Sequence, residues 1–375
     1  MRVEKINLGS GKIANMRVGN TQPDKAFLGT TLVWEKPPYI VKHVFTPAPS
    51  TSYTYGVEIS MTDDHLAISD WAYNPGSLAQ HGRVYIYNRS NYGLNTTLNP
   101  PEDDAYQLYG WDIDMNSSKI AVGARQYGST NKGKWFLHDI NSGGLISSRE
   151  GGADNAQAGS GVGINDSWSV SGEPARQVGA YDPNAGLGNF LDLTGSFHGN
   201  LLPPTPEQDE YMGTSVAMTN TYIVMGGNNG SYVRLHVFDM AENFVRYLTQ
   251  PDPDGARFGF NLEIHGDYVV TSCPQQGTLA GSVYVYNVTT GDLLQQWSGL
   301  DDSQLGTEVA VYGNYALAGT YDNKVFMYDI TTGDEVMVFE HSAVEFGQHG
   351  LGINGNQVAI AAKDQVILFE YEIPV

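Results

Sequence analysis

Phe258-Gly-Phe-Asn-Leu-Glu-Ile-His-Gly-Asp-Tyr-Val-Val-Thr-Ser-Cys273, followed after a loop by Gly281-Ser-Val-Tyr-Val-Tyr-Asn-Val-Thr-Thr-Gly291 and Asp292-Leu-Leu-Gln-Gln-Trp-Ser-Gly299, is the stretch that decides the fold. Apolar residues alternate with polar ones in runs rich in Val, Ile and Tyr, the period-2 signature of β-strands. His265-Gly266-Asp267 breaks the first pair of runs with residues that accept positive φ, as a hairpin requires. The stretch therefore reads as four consecutive antiparallel strands opened by an aromatic-Gly dipeptide.

The same unit recurs along the chain. Its opening dipeptide stands at Tyr55-Gly56, Tyr109-Gly110, Ala158-Gly159, Met212-Gly213, Phe258-Gly259, Leu305-Gly306 and Phe346-Gly347, with steps of 41 to 54 residues between glycines. Third strands keep step: VYIYN from Val84, WFLHD from Trp135, NFLDL from Asn189, RLHVFD from Arg234, VYVYN from Val283, VFMYD from Val325 and VILFE from Val366. Seven four-stranded units at this period predict an all-β, seven-bladed β-propeller. The opening glycine is expected where the first strands crowd the central channel. The seventh unit ends soon after its third strand, and Tyr39–Phe45 reads as a strand ahead of the first unit. Residues 39–46 are thus expected to supply the outer strand of the last blade and close the ring. The domain reading is 1–38 as a docking segment and 39–375 as the propeller.

Composition narrows the function. Lys plus Arg number 20 and Asp plus Glu 41, a net charge of −21, so a phosphate-backbone binder is excluded. Cys273 is the sole cysteine among 375 residues, which excludes a disulfide framework and a Cys-based zinc site. Membrane insertion is not expected, because no run of about 18 apolar residues exists. The N-terminal stretch carries no apolar signal core.

Motifs for chemistry fail on their spacing. Gly9-Ser10-Gly11-Lys12 lacks the first glycine of a phosphate loop and is followed by Ile13, not Ser or Thr. The nine His residues form no H-x-x-x-H, and Gly195-Ser196-Phe197-His198-Gly199 is no nucleophile elbow. His138 and His236 read as satisfied strand residues. Asp63-Asp64, Asp103-Asp104 and Asp301-Asp302 are carboxylate pairs of the kind glycosidases use, but all fall in predicted turns or inter-blade loops. No catalytic residue, metal or cofactor is expected, and the chain is read as non-enzymatic.

The aromatic-Gly opening, the Gly-Asp-Tyr-Val-Val second strand and the Gly-x-Val-Tyr-Val-Tyr third strand resemble FG-GAP-like repeats, the blades of integrin-α-type propellers, over about residues 55–370. That family's calcium loop, Asp-x-Asp-x-Asp-Gly, is missing; Asp252-Pro253-Asp254-Gly255 is too short, so calcium is not carried over. Residues 1–38 are similar to the Leu-Gly-Ser/Thr strand module at the N-termini of tailed-bacteriophage structural proteins, most clearly in Ala26–Lys36, AFLGTTLVWEK. This resemblance implies a virion location. It makes Leu8, Phe27, Leu28, Leu32 and Trp34 docking residues toward other virion proteins, in a symmetric multi-copy assembly. Packing of the same segment in cis is the competing reading.

The expected role is a tail, fibre or capsid appendage that displays a propeller toward virion partners or a host-surface glycan or protein. A cellular carbohydrate- or protein-binding propeller is the alternative, and a propeller polysaccharide hydrolase the third reading. The binding face is expected where second-to-third-strand loops and inter-blade loops open together. That face should be acidic and lopsided, with Trp71, Tyr73, Tyr127 and Tyr181 as candidate contacts that could stack on sugars. Alternatively, Trp71 and Tyr73 cover a neighbouring blade's edge.

Overall fold

The protein is described from a computed structural model. It covers strands Lys25–Leu28 and Thr31–Glu35, and residues 38–372 apart from 48–53, 75, 77–78, 103, 105, 180–182, 228–233 and 252–254. Leu8 and Tyr181 lie outside the described residues. Phe27, Leu28, Leu32 and Trp34 belong to the two N-terminal strands, which pair as an antiparallel hairpin.

Seven four-stranded antiparallel sheets follow one another as blades 1 to 7. Their innermost strands are Tyr55–Met61, Tyr109–Met115, Val162–Ile164, Ser215–Met218, Leu262–His265, Val309–Tyr312 and Leu351–Asn354. Each touches the next, and the seventh touches the first, so the ring is closed. The third strands run where the repeat placed them, except that blade 3's begins at Leu187, ahead of Asn189.

The core is divided into layers. Seven hydrophobic clusters form, one between each pair of neighbouring blades. Between blades 1 and 2, for example, Val84 and Ile86 meet Tyr109, Ile113 and Phe136. Because a blade is covered on both faces, its middle strands are buried at consecutive positions, as in His65–Asp70. Outer strands are more exposed, as in Glu335–Glu340, where Met337 and Phe339 are buried and both end glutamates face water.

Ring closure follows the expected route. Tyr39–Phe45 pairs antiparallel with Gln365–Tyr371, from Tyr39 opposite Tyr371 to Phe45 opposite Val366. It completes blade 7 in the order outer strand, third, second, innermost. Tyr39 packs on Phe339 of blade 6 and Phe369 of blade 7, at 4.7 and 5.4 Å between ring centroids. Phe45 is buried against Tyr87 of blade 1 at 4.6 Å. One strand therefore joins three blades.

The opening glycines have a different reason from the one expected. All seven adopt φ between 73° and 98°, which L-residues rarely do. A Cβ on Gly306 would stand 2.6 Å from Ser272 Cβ and 3.0 Å from Val283 Cγ2, both on the preceding blade. The crowding is blade against blade rather than at the channel. The glycine ahead of the third strand has a related task. Gly281 forms a parallel bridge to Leu305 of the next blade, and a Cβ there would lie 2.3 Å from the Leu305 carbonyl oxygen.

Candidate binding site at the channel mouth

Alternate residues of each innermost strand face the ring axis. Residues two and four places after an opening glycine therefore share the channel wall. In four blades these include a carboxylate: Glu58 in blade 1, Asp112 and Asp114 in blade 2, Glu263 in blade 5 and Glu308 in blade 6. At those positions blades 3 and 4 carry Gly161, Gly163, Ser215 and Ala217 instead.

The axis is hollow. A cavity of about 600 Å³ opens among the second-to-third-strand and inter-blade loops. A second, of about 410 Å³, lies toward the first hairpin turns, which carry Asp63 and Asp64. Ile113, Asp114, Met115, Glu263 and Ile264 line both, so the two adjoin along the axis.

Some of the carboxylates stitch blades together. Asp112 accepts from the Val162 N–H at 2.7 Å and Asp114 from the Ile164 N–H at 3.0 Å, satisfying the open edge of blade 3. Ser60 of blade 1 donates to Asp114 at 3.4 Å. Hydroxyls and amides do similar work elsewhere: Ser215 donates to the Gly259 carbonyl, Thr307 to the Gly347 carbonyl and the Asn261 amide to the Thr307 carbonyl.

Burial inside the ring pushes all five carboxyls up, because charge is costly away from bulk water. Asp114 is raised to about 6, Asp112 to about 7 and Glu308 to about 8; Glu58 and Glu263 lie well above the usual range. Coulombic repulsion adds to the burial effect, with Glu58 facing Glu308, Asp112 and Glu263. Backbone N–H donors to Asp112, Asp114 and Glu308 pull the other way. The side chains are enclosed by protein yet touch the channel space, Glu263 being exposed to it and the others half-buried, so channel water moderates the shift.

The mouth is aromatic and cationic. Trp71 and Trp111 meet at 5.5 Å with planes inclined by 49°. The Arg125 guanidinium lies 4.3 Å over Trp111, and Arg257 lies 5.2 Å over Phe260. Tyr321 and His349 complete the rim with Gln348 and Gln275. Burial lowers His349 from its ordinary value.

The candidate aromatics separate in space. Trp71 stands at the mouth against Trp111. Tyr73 instead lies under the Arg83 guanidinium at 3.0 Å. Tyr127 donates its hydroxyl to Glu102 and carries the Lys134 ammonium over its ring at 4.4 Å. These two rings are engaged by the scaffold of blades 1 and 2.

The acids expected on this face are also engaged. Glu102 pairs with Lys134 at 2.7 Å. Glu207 and Glu210 both pair with Arg234, at 2.8 and 2.9 Å, and Glu210 also meets His236 at 3.1 Å. Asp104 accepts from the Gly128 N–H and Asp301 from the Thr278 hydroxyl. One layer deeper, the five channel acids face one another with no cation among the described groups acting on them. His138 is satisfied at both ring nitrogens, by Tyr109 and the Gly143 carbonyl. Among the described residues, no group of three or more His, Cys, Asp or Glu is arranged to hold a metal. Asp252 and Asp254 lie outside the described residues.

Trp111, Arg125, Arg257 and Phe260 were not singled out from sequence, nor were the five channel carboxylates. Their signal was available in the repeat: Trp111 and Phe260 directly follow opening glycines, and the carboxylates sit at fixed offsets from them.

No family model and no curated protein matches this chain. Among solved structures it is similar to the computationally designed Ika8 protein, with a TM-score of 0.56 and 18% identity, over 84% of this chain and 83% of that one. At that identity the likeness concerns the fold.

Proposed function

We propose that this chain is a non-enzymatic binding propeller carried on a virion, where it presents the channel-mouth face to a glycan. The observation that carries the binding reading is the mouth itself. A cavity of about 600 Å³ sits beneath the Trp71–Trp111 pair, and Arg125 and Arg257 add donors at its rim. Apolar rings beside a few convergent polar groups are the usual make-up of a small-ligand site. The virion part rests on the resemblance of residues 1–38 to tailed-phage structural modules.

A glycan array probed with the full chain tests the binding reading. Trp71→Ala and Trp111→Ala should each abolish the signal while leaving the melting transition in place. Absence of signal on any glycan, or signal indifferent to both substitutions, refutes it. Recovery of the chain in purified tailed particles, lost on removing residues 1–38, tests the location.

One observation favours a second reading, polysaccharide hydrolysis. Carboxyls with raised pKa facing a cavity have the properties of a general acid. Turnover of a polysaccharide panel, lost in Asp112→Asn, would establish it.

A further inference from the structure

We propose that the glycan taken by this cavity is an amino sugar with free ammonium groups: its rings lie against Trp71 and Trp111 and its ammonium points into the carboxylate-lined channel. This rests on the glycan reading above and narrows it to one chemical class.

Three independent features converge on that class. The first is space, since about 600 Å³ falls within the 300–1,000 Å³ typical of small-ligand sites. The second is a set of acids with no cation beside them, which hold protons that an ammonium displaces to bulk water. Among the described residues, no cation stands among the groups acting on Glu58, Asp112, Asp114, Glu263 or Glu308. Glu308 meets only the N–H of the next residue, Val309, and burial and repulsion alone act on Glu58. The third lies at the mouth. The Arg125 guanidinium lines the cavity over Trp111 at 4.3 Å and is held there by its Nη2 hydrogen bond to Gln157 Oε1 at 2.8 Å.

Each simpler ligand leaves one of these unmet. A neutral sugar covers the tryptophans but leaves the channel acids without a cation, so they stay protonated. A bare polyamine pairs with the acids but brings no ring face to the tryptophans, and must pass the like charges of Arg125 and Arg257. An amino sugar supplies hydroxyl acceptors at the mouth, a ring face for stacking and an ammonium below. Blades 3 and 4 give the cavity apolar and hydroxyl side chains, so the ammonium is drawn toward blades 1, 2, 5 and 6.

Calorimetric titration of the full chain near neutral pH and low salt tests this with three probes: a β-1,4-linked D-glucosamine tetramer, its fully N-acetylated counterpart and spermidine. The glucosamine tetramer should bind at least about tenfold tighter than the acetylated one, a difference of about 1.4 kcal/mol. Glu58→Gln with Glu263→Gln should remove that preference and leave the acetylated tetramer within about twofold. Should the double variant fail to fold, salt serves instead: raising NaCl from about 50 to about 500 mM should weaken the glucosamine tetramer selectively. Equal or tighter binding of the acetylated tetramer overturns the inference and leaves the glycan reading standing. Binding of none of the three overturns the inference and leaves the glycan reading to the array, while binding of spermidine alone also speaks against stacking of a sugar on the tryptophans.

Discussion

Replacing Phe45 by alanine should destabilise the whole ring although the residue belongs to an outermost strand. Phe45 is 2% exposed and packs on Tyr87 of blade 1 while its backbone pairs with Val366 of blade 7. Truncation of a buried Phe costs about 3–5 kcal/mol, from lost transfer energy and the cavity left behind. Unfolding entropy is about 2.1 cal/mol/K per residue, or about 0.8 kcal/mol/K for 375 residues, if the ring melts as one unit. A loss of ~4 kcal/mol then lowers the melting temperature by ~5 °C. Tyr39→Ala removes contacts to Phe339 and Phe369 at the other end of the same strand, and the double variant should lose more than either. Deleting residues 1–46 removes the strand altogether and bares the edge of Gln365–Tyr371, so it should give a much larger loss and aggregation. Differential scanning calorimetry reads all four proteins. A Phe45→Ala protein melting within about 1 °C of the parent, or a truncation with unchanged melting, refutes the closure of the ring through this strand.

The channel carboxyls make stability fall as pH rises. Their folded pKa values lie above the unfolded ones, so the folded chain retains protons that the unfolded chain releases above about pH 4.5. The resulting stabilisation is complete below that pH and is lost as pH climbs through about 6 for Asp114, 7 for Asp112 and 8 for Glu308. Melting at pH 8.5 should therefore be lower than at pH 5.5, and Glu308→Gln should flatten that slope by ~1–2 kcal/mol once channel water is allowed for; a slope unchanged by the substitution speaks against a raised Glu308. Gly281→Ala should prevent folding or cost several kcal/mol, since its Cβ would meet the Leu305 backbone, whereas Gly277→Ala should cost only about 1 kcal/mol for its positive φ because nothing lies within 4 Å. Similar losses at the two glycines, measured by urea unfolding, would show that blade-to-blade clearance is not the reason for Gly281.

The blades were readable because each is local. A hairpin turn such as His265-Gly266-Asp267 and the alternation of Val283, Val285 and their neighbours are written in adjacent residues, and seven copies reinforce one another. Even the closing strand was legible, because a seventh unit without an outer strand has an obvious donor in Tyr39–Phe45. The candidate site was less so. Tyr73 and Tyr127 look like free loop aromatics in sequence, but Arg83 and Lys134, each directly after the glycine that opens a third strand, fold back over them. Glu102, Glu207 and Glu210 look like surface acid and are paired by Lys134 and Arg234.

The sequence by itself determined the number of blades, their strand order and the segment that closes the ring, since these depend on period, turn chemistry and the placing of glycine. It also determined that Glu58, Asp112, Asp114, Glu263 and Glu308 share a strand face, through their offsets from the opening glycines. Only the tertiary structure decided that those five face one another across an enclosed channel beneath Trp71 and Trp111. Their strands come from blades 1, 2, 5 and 6, up to some 250 residues apart, and meet because the innermost strands close about one axis. Periodicity fixes which way a side chain points from its own strand; which groups it then meets is set by the closure of the ring.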